Sequence, residues 1–279
     1  MSLRDRISRL LIPREPPVPD AVLGRAADRF GALLPGATVC VKVSAARSMP
    51  YPFTTSAQFV ARVISEIQAV NPSLRILLTE GGLGDTSIET VAAANGLTSI
   101  ANAQFVNAES DDEVWVDNGA PGSGSGDGFW LPRHWVEADA RVILTTCKLR
   151  SHHFRRWYSG GIRNLIGLLP RSRYRLSDRK RNMRSSIHQS GMDQTVADLY
   201  STTGSNVLTV LDARLLARED EHLPLRFVRR VSEVIVRNDP RSADTAMVKA
   251  LGLPFVPPYL ALLSDADRQR SGDGASGSA

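Results

Sequence analysis

The sequence predicts an α/β protein with a largely parallel or mixed sheet flanked by helices in Rossmann-like layers. Short apolar runs of strand type alternate with stretches in which apolar residues recur at helical spacing, and glycines and prolines separate them. Such alternation is typical of a sheet whose strands are mostly parallel. The chain has 279 residues, of which 42% are apolar and 23% charged, so it can bury a globular core without disulfides.

Each predicted element has its own sequence signal. Helices are predicted over 20–34, 56–70, 87–95 and 239–251, where apolar residues follow helical spacing. Buried strands are predicted at the apolar runs 38–43, 74–79, 141–146, 207–211 and 231–236. The last helix has Asp239 and Pro240 at its start and Gly252 after it, which are residue types that commonly begin and end helices.

The chain is expected to divide into three parts. Residues 1–35 form an N-terminal arm and a helix, and residues 36–264 form a single α/β domain that could consist of two lobes. Residues 265–279 are rich in Gly, Ser and Asp and are expected to be disordered, because such a composition cannot bury a core. The glycine-rich run 119–128 is expected to be an exposed loop, either a lid or a neutral insertion.

Cysteine content and hydropathy restrict the class of protein. Cys40 and Cys147 are the only cysteines, which excludes a disulfide scaffold and a four-cysteine iron–sulfur cluster. Two isolated thiols in apolar runs suit a reducing compartment. No stretch reaches the roughly 20 apolar residues of a membrane span, and the start lacks the apolar core of a signal peptide. We therefore expect a cytoplasmic protein with no membrane partner.

Positive charge is concentrated in one segment. The formal charge is +5, yet residues 148–188 contain 12 Lys or Arg residues and a single acidic residue, Asp178. A field of one sign attracts the opposite charge, so the partner is expected to be an anion, such as a small oxyanion, a nucleic acid or an acidic protein. A solvated basic surface that binds nothing is the alternative.

One group of candidate site residues follows the second predicted strand. Glu80 ends that strand, and a glycine-rich turn then leads to the helix at 87–95. Glycines such as Gly82 let backbone amides approach a negatively charged ligand. The spacing matches neither a P-loop nor a dinucleotide-binding fingerprint, so a plain tight turn is equally consistent with it.

A second group follows the strand predicted at 141–146. Six basic residues or histidines occur within positions 148–156. The pair Gly160-Gly161 then precedes a short apolar helix with Arg163 in its first turn, and the N-terminal amides of that helix are expected to add donors for an anion. The guanidinium of arginine binds an oxyanion by donating two parallel hydrogen bonds, while lysine and histidine supply positive charge and transferable protons.

These motifs resemble those of domain-of-unknown-function family 362. Segment 146–152 resembles the family's Pro-Lys-x-Lys-x-His motif, with Cys147 in place of proline and Arg150 in place of the second lysine. Segment 159–168 resembles its Thr-Gly-x-x-Lys-Asn helix, with Arg163 in place of lysine, and His188 resembles an isolated histidine of the family.

The likeness extends over about residues 38–260. Lys42, Glu80 and Asp212 stand at positions similar to charged residues that follow the family's strands, and Asp244 lies in a segment similar to its terminal Asp-Pro helix. The resemblance implies an α/β fold and a site at the strand ends, but no single reaction. Many relatives carry a ferredoxin-like cysteine cluster, which this chain lacks, so electron transfer is not implied here.

Convergence of the strand ends would bring the candidates into one crevice. The residues expected to bind an anion are Lys42, Gly82, Lys148, Arg150, Arg155, Arg163, Asn164 and His188. The residues expected to act as acid or base are Glu80, His152 and Asp212. Neither a metal nor a cofactor is expected, because adjacent His152 and His153 point apart in an extended chain and the nearby arginines repel a cation.

A cationic crevice of this kind suits redox-neutral chemistry on a small anionic metabolite. The expected reaction is an elimination or an intramolecular displacement that closes a ring and expels a sulfate or phosphate, whose charge the cations stabilise. Arginine far outnumbers lysine, which favours a high-GC bacterial source and a step in specialised metabolism such as antibiotic biosynthesis.

Two other functions are compatible with the sequence. One is a non-catalytic or partner-dependent subunit of a biosynthetic complex, as a homo- or hetero-oligomer with a related chain. The other is a nucleic-acid-binding protein in which the aromatic residues between the arginines stack on bases; they are Phe154, Trp157, Tyr158 and Tyr174.

Overall fold

The computed structural model describes residues 13–83, 85–109, 112–118, 127–152, 155–175, 184, 186–187, 191–204, 206–220 and 227–273. The predicted arm up to residue 12, most of the 119–128 loop and His188 lie outside these residues.

Nine strands occur in the described ranges. They are β1 (Thr38–Val43), β2 (Arg75–Glu80), β3 (Ala103–Asn107), β4 (Glu113–Asp117), β5 (Gly128–Pro132), β6 (Ala140–His152), β7 (Arg155–Ser159), β8 (Leu208–Asp220) and β9 (Phe227–Arg237).

The strands form one large sheet and one small sheet. The large sheet has the order β3-β2-β1-β6-β8-β9, with β7 paired to β6, and β4 and β5 form an antiparallel pair. The pairs β2–β3, β1–β2, β1–β6 and β6–β8 are parallel, whereas β7 and β9 run antiparallel to their neighbours. The predicted α/β fold with a mostly parallel sheet is confirmed.

The α-helices are α1 (Ala57–Val70), α2 (Ile88–Ala94), α3 (Arg133–Val136), α4 (Gly161–Asn164), α5 (Arg171–Tyr174), α6 (Met192–Leu199), α7 (Pro240–Ala250) and α8 (Pro258–Asp273). Short 3-10 helices cover Gly24–Phe30, Leu97–Ser99 and Leu165–Leu168, and a π-helical turn covers Tyr200–Gly204. No helix in the described ranges has the length and apolarity to cross a bilayer.

The alternation of side chains along β1 divides the core between the two faces of the sheet. Val39 and Val41 belong to the cluster that packs against α1. Cys40 points to the opposite face and belongs to a second cluster that includes Leu165 of the 3-10 helix. Because successive side chains of a strand alternate, Lys42 lies on the Cys40 face, toward that helix.

Residues 20–34 differ from the predicted α-helix, since the structure has a shorter 3-10 helix over Gly24–Phe30. Gly24 has a φ of +52°, which interrupts helical backbone at that point. The carboxylate of Glu66 on α1 instead accepts hydrogen bonds from the amides of Val22 (2.7 Å) and Leu23 (2.7 Å). This capping by a distant side chain has no local sequence signal.

Several other segments extend beyond their predicted limits, including β8, predicted at 207–211, which continues to Asp220, and β9, predicted at 231–236, which covers Phe227–Arg237. The strand predicted at 141–146 continues as β6 to His152 and pairs with β7, because charged residues obscure the strand pattern in its second half. Helix α8 continues through Asp273, in place of the disorder expected for 265–273, and Arg241 of α7 contacts Asp267 on it. Residues 274–279 lie outside the described part of the chain.

Candidate functional site

The carboxyl ends of β1 and β2 and the middle of β6 border a cavity of about 260 Å3. Ligands of parallel sheets bind at this edge, where loops emerge from the strands. The charged residues of the described lining are Arg47, Glu80, Lys148, Arg163 and Arg184. Four of these five side chains are cationic, so the cavity has the electrostatic character of an anion site.

A second, more open depression of about 470 Å3 shares Met49 and Thr54 with this cavity. The charged residue of its described lining is Glu15. Its size exceeds that of the first cavity, but it lacks the convergent cations, so we take the smaller cavity as the candidate site.

Lys42 lies behind Glu80 and its side chain is fully buried. Its Nζ donates to Glu80 Oε1 (2.6 Å), to the Val43 carbonyl (2.8 Å) and to Asn164 Oδ1 (3.0 Å). These bonds use all three protons of an ammonium group. Burial lowers the pKa of Lys42, and the carboxylate of Glu80 opposes that shift. The bonding pattern is that of a cation with no lone pair to offer as a base or nucleophile.

Glu80 is the last residue of β2, and its carboxylate places the Lys42–Glu80 ion pair at the wall of the cavity. Its Oε1 also accepts from the amide of Gly81 (2.9 Å), and its Oε2 accepts from the amide of Ala45 (2.9 Å). A buried carboxylate is stable only with such partners. One ion pair therefore fixes the loop after β1 and the turn after β2.

Gly167 allows the 3-10 helix to approach this ion pair. A Cβ at this position would lie 2.2 Å from Glu80 Oε1 and 2.6 Å from Lys42 Nζ. No side chain fits there without displacing the charged groups. The glycine can be seen in the sequence, but nothing local shows which residues it approaches.

Lys148 and Arg163 reach the cavity from different elements. Nζ of Lys148 on β6 donates to Ser44 Oγ at 3.2 Å. Nη1 of Arg163 on α4 lies 3.5 Å from Asp193 Oδ1, and the Arg163 side chain is 14% exposed. This contact is longer than an ideal charge-assisted hydrogen bond, and it places the guanidinium beside the cavity.

Arg184 is buried and bonds to the backbone around the cavity. It donates to the carbonyls of Leu169, Gly82 (3.3 Å) and Gly167 (3.4 Å), and to Glu109 Oε1 (3.2 Å). Burial lowers the pKa of Arg184, and Glu109 opposes that shift. Arg184 thus holds the loops of the cavity in place and contributes positive charge to its wall.

Asp244 of α7 holds helix α4 in position. Its carboxylate accepts from the amides of Gly161 (2.7 Å) and Ile162 (3.1 Å). It also accepts from the hydroxyls of Tyr158 (3.3 Å) and Tyr259 (3.1 Å). The N-terminal amides of α4 are therefore bonded to Asp244, and the expectation that they would bind a ligand is wrong.

The structure brings several of the predicted site residues together. Glu80, Lys148, Arg163 and Asn164 line the cavity, and Lys42 contacts two of them from behind. Gly82 is not among the described lining residues, but its carbonyl binds Arg184. The side chains of Arg150, His152 and Arg155, and all of His188, lie outside what the structure describes.

Asp212 is placed in a different environment. Its buried carboxylate accepts from Arg214 at 2.8 and 2.9 Å and from the Tyr51 hydroxyl at 3.0 Å. It is absent from the described lining of the cavity. These contacts give Asp212 a structural role in holding the segment that contains Tyr51.

Sequence reasoning missed the contribution of the loop after β1. Ser44, Arg47 and Thr54 from this loop line the cavity. The sequence signal for this contribution was the position of the loop, which directly follows the carboxyl end of a predicted strand. Arg184 was counted only as part of the basic segment, because a single arginine in such a run carries no mark of burial.

The described residues offer no metal-binding cluster of three His, Cys, Asp or Glu side chains.

The fold and the site together define a mostly parallel α/β protein with a cationic cavity at the carboxyl edge of its sheet. The chain belongs to the family described as Domain of unknown function (DUF362), whose model matches residues 39–249. None of the curated proteins matches it.

A solved structure, that of the lactate racemase apoprotein from Thermoanaerobacterium thermosaccharolyticum, is similar to this chain with 18% sequence identity and a TM-score of 0.42. The match covers 82% of this chain and 52% of that chain. The chain thus spans about half the length of the structure it matches.

We expect Glu80→Gln to lower the free energy of unfolding by about 3–5 kcal/mol, because it leaves the ammonium of Lys42 buried without its counter-ion. Urea denaturation measures this loss. The matched control is Glu137→Gln, which removes a surface partner of Arg133 and is expected to cost less than about 1 kcal/mol. Equal losses in the two variants would show that the buried pair is not required.

Burial raises the pKa of Asp244 from 3.8 to about 6. The hydrogen bonds that its carboxylate accepts from Gly161, Ile162, Tyr158 and Tyr259 lower the pKa and offset only part of this shift. A carboxyl with a raised pKa in the folded state stabilises the fold below its unfolded pKa, and this contribution is lost as pH rises through the folded pKa.

Asp244→Asn cannot titrate at this position. The stability of the wild type relative to this variant should therefore fall by on the order of 3 kcal/mol between pH 4 and pH 6.5, and should be constant above that range. Chemical denaturation at a series of pH values tests this. A difference that does not change with pH would contradict the raised pKa.

Proposed function

We propose that this chain is a redox-neutral enzyme that acts on a small anionic metabolite bound in the cavity. The observation that supports this most strongly is the convergence of Lys148 and Arg163 beside the ion-paired Glu80. Cations fixed in a partly buried wall stabilise negative charge on a bound oxyanion more strongly than they would in water.

The proposed reaction is an elimination or an intramolecular displacement that closes a ring. A base removes a proton from the substrate, the electron pair that is released forms the new bond, and the bond to the leaving oxygen breaks. The leaving group departs as sulfate or phosphate with the electron pair of the broken bond. Lys148 and Arg163 would hold the charge that builds on that oxygen.

Glu80 is the carboxylate of the described lining and is our candidate for the base. The imidazole of His152 remains a predicted acid or base, with its side chain outside the described part of the structure. Asp212 has no part in this proposal, because it is absent from the described lining of the cavity and its carboxylate pairs with Arg214. Lys42 would act through Glu80 by maintaining its charge and orientation.

The cellular setting is part of the same proposal. We place the protein in the cytoplasm of a bacterium, in a step of specialised metabolism. Cys40 and Cys147 are both buried and not joined in a disulfide, which supports a reducing compartment. A nucleic-acid partner for residues 148–188 stays a prediction, since much of that segment lies outside the described residues.

A partner-dependent subunit is the second candidate. Lys42 donates all three protons within the protein, and both oxygens of Glu80 accept hydrogen bonds. Such an arrangement suits a fixed charge as well as it suits a proton-transfer group. If Glu80 serves only as a fixed charge, the chain would bind the same anion, and the anion would react only when a related subunit is present.

Sulfate should raise the melting temperature if the cavity binds an oxyanion. With a Kd of about 1 mM, 10 mM sulfate would stabilise the fold by about 1.4 kcal/mol, which corresponds to roughly 3–5 °C. We expect Lys148→Ala and Arg163→Ala to remove most of this rise, as measured by differential scanning fluorimetry at constant ionic strength with chloride as the reference salt.

The matched controls are Lys249→Ala and Arg237→Ala, which remove exposed cations from α7 and β9. Both should retain the full rise. The proposal fails if chloride at equal ionic strength has the same effect as sulfate, or if the rise is the same in all four variants.

A further inference from the structure

The candidate cavity has an apolar wall in addition to its cations. Its larger apolar lining residues are Met49, Phe53, Leu83, Ile166 and Met192. They come from the loop after β1, the turn after β2, the 3-10 helix and the start of α6. Phe53 is buried, whereas the other four are only half-buried and keep part of their apolar surface accessible.

This wall is the edge of the hydrophobic core. Ile166 and Met192 both pack against two clusters of buried residues, one of which contains Cys147 and the other Cys40. A ligand that covers the accessible part of these side chains gains affinity in proportion to the apolar area removed from water. Methionine side chains are flexible and polarizable, so they adapt to the shape of such a ligand.

Several polar lining residues are bonded within the protein. Thr54 donates its hydroxyl proton to the Met49 carbonyl (2.6 Å), and Thr145 donates to the Thr146 carbonyl (3.2 Å). Asn164 uses its side-chain oxygen to accept from Lys42. The hydroxyl protons of Thr54 and Thr145 are therefore already donated within the protein, whereas an anionic group would meet the cations Lys148 and Arg163.

The size of the cavity limits the ligand further. A water molecule occupies about 30 Å3 in the liquid, so a cavity of about 260 Å3 has room for more than one tetrahedral oxyanion. It is smaller than the pockets of about 300–1,000 Å3 that bind drug-sized molecules. The available space suits one anionic group with a short chain or ring attached.

We propose that the ligand of this cavity is an organic anion in which one oxyanion group is joined to a short apolar body. The oxyanion lies against Lys148 and Arg163, and the apolar body lies against Met49, Ile166 and Met192. This assignment of a substrate class rests on the proposed function, because it uses the same cations for the charged end.

Isothermal titration calorimetry of the full chain with inorganic sulfate and with methyl, propyl and pentyl sulfate, at constant ionic strength, tests the proposal. We expect the affinity of the alkyl sulfates to increase about two- to fourfold with each methylene, because each methylene is removed from water. Lys148→Ala should weaken all three alkyl sulfates by a similar factor and leave the gain per methylene unchanged.

Met192→Gln keeps the length of the side chain but makes it polar, and should reduce the gain per methylene. The matched control, Val256→Thr, changes an apolar residue that is 63% exposed and lies outside the described lining, and should behave as the wild type.

The outcomes separate the two proposals. If sulfate binds but affinity does not depend on chain length, the proposed apolar body is wrong and the anion site stands. A gain per methylene that persists fully in Met192→Gln also overturns the assignment, because the alkyl chain then lies elsewhere. If neither the inorganic ion nor any alkyl sulfate binds, the proposed function fails as well.

Discussion

The buried ion pair between Lys42 and Glu80 determines how the cavity is built. Two charges removed from water require each other, together with enough hydrogen bonds to satisfy the remaining protons and lone pairs. Lys42 meets that requirement through its own strand and through Asn164, and Glu80 meets it through the amides of Gly81 and Ala45. The pair thereby joins β1, β2 and α4 at one point, and the cavity opens beside it.

Residues distant in the sequence then complete the wall. Asp244 lies on α7, yet it binds the first amides of α4 and so fixes the backbone that carries Arg163 and Asn164. Arg184 binds the carbonyls of Gly82, in the turn after β2, and of Gly167, in the 3-10 helix. Arg184 is thus held by buried contacts, and the backbone that carries Arg163 is fixed by Asp244. Fixed charges of this kind are a condition for electrostatic stabilisation of a reacting group.

The predicted strands correspond to β1, β2, the first half of β6, the start of β8 and part of β9, because apolar runs report burial directly. Strands β3, β4, β5 and β7 were not predicted. The edge that carries the site followed from the parallel order of β1, β2 and β6. The roles of individual charged residues were less predictable. Glu80 and Asp212 both follow apolar runs, but Glu80 faces the cavity, whereas Asp212 pairs with Arg214 two residues later. A one-dimensional sequence cannot distinguish a carboxylate that faces a ligand from one that a neighbour neutralises. The capping of α4 by Asp244 spans about 80 positions and has no local signal for the same reason.

Location of an oxyanion in a crystal is the most direct test of this account. Crystals soaked in selenate, a sulfate analogue with a measurable anomalous signal, would show where the anion binds. We expect an anomalous peak in the cavity within hydrogen-bonding distance of both Lys148 Nζ and the Arg163 guanidinium. Selenate bound only at other surfaces, with ordered water in contact with these two cations, would contradict it.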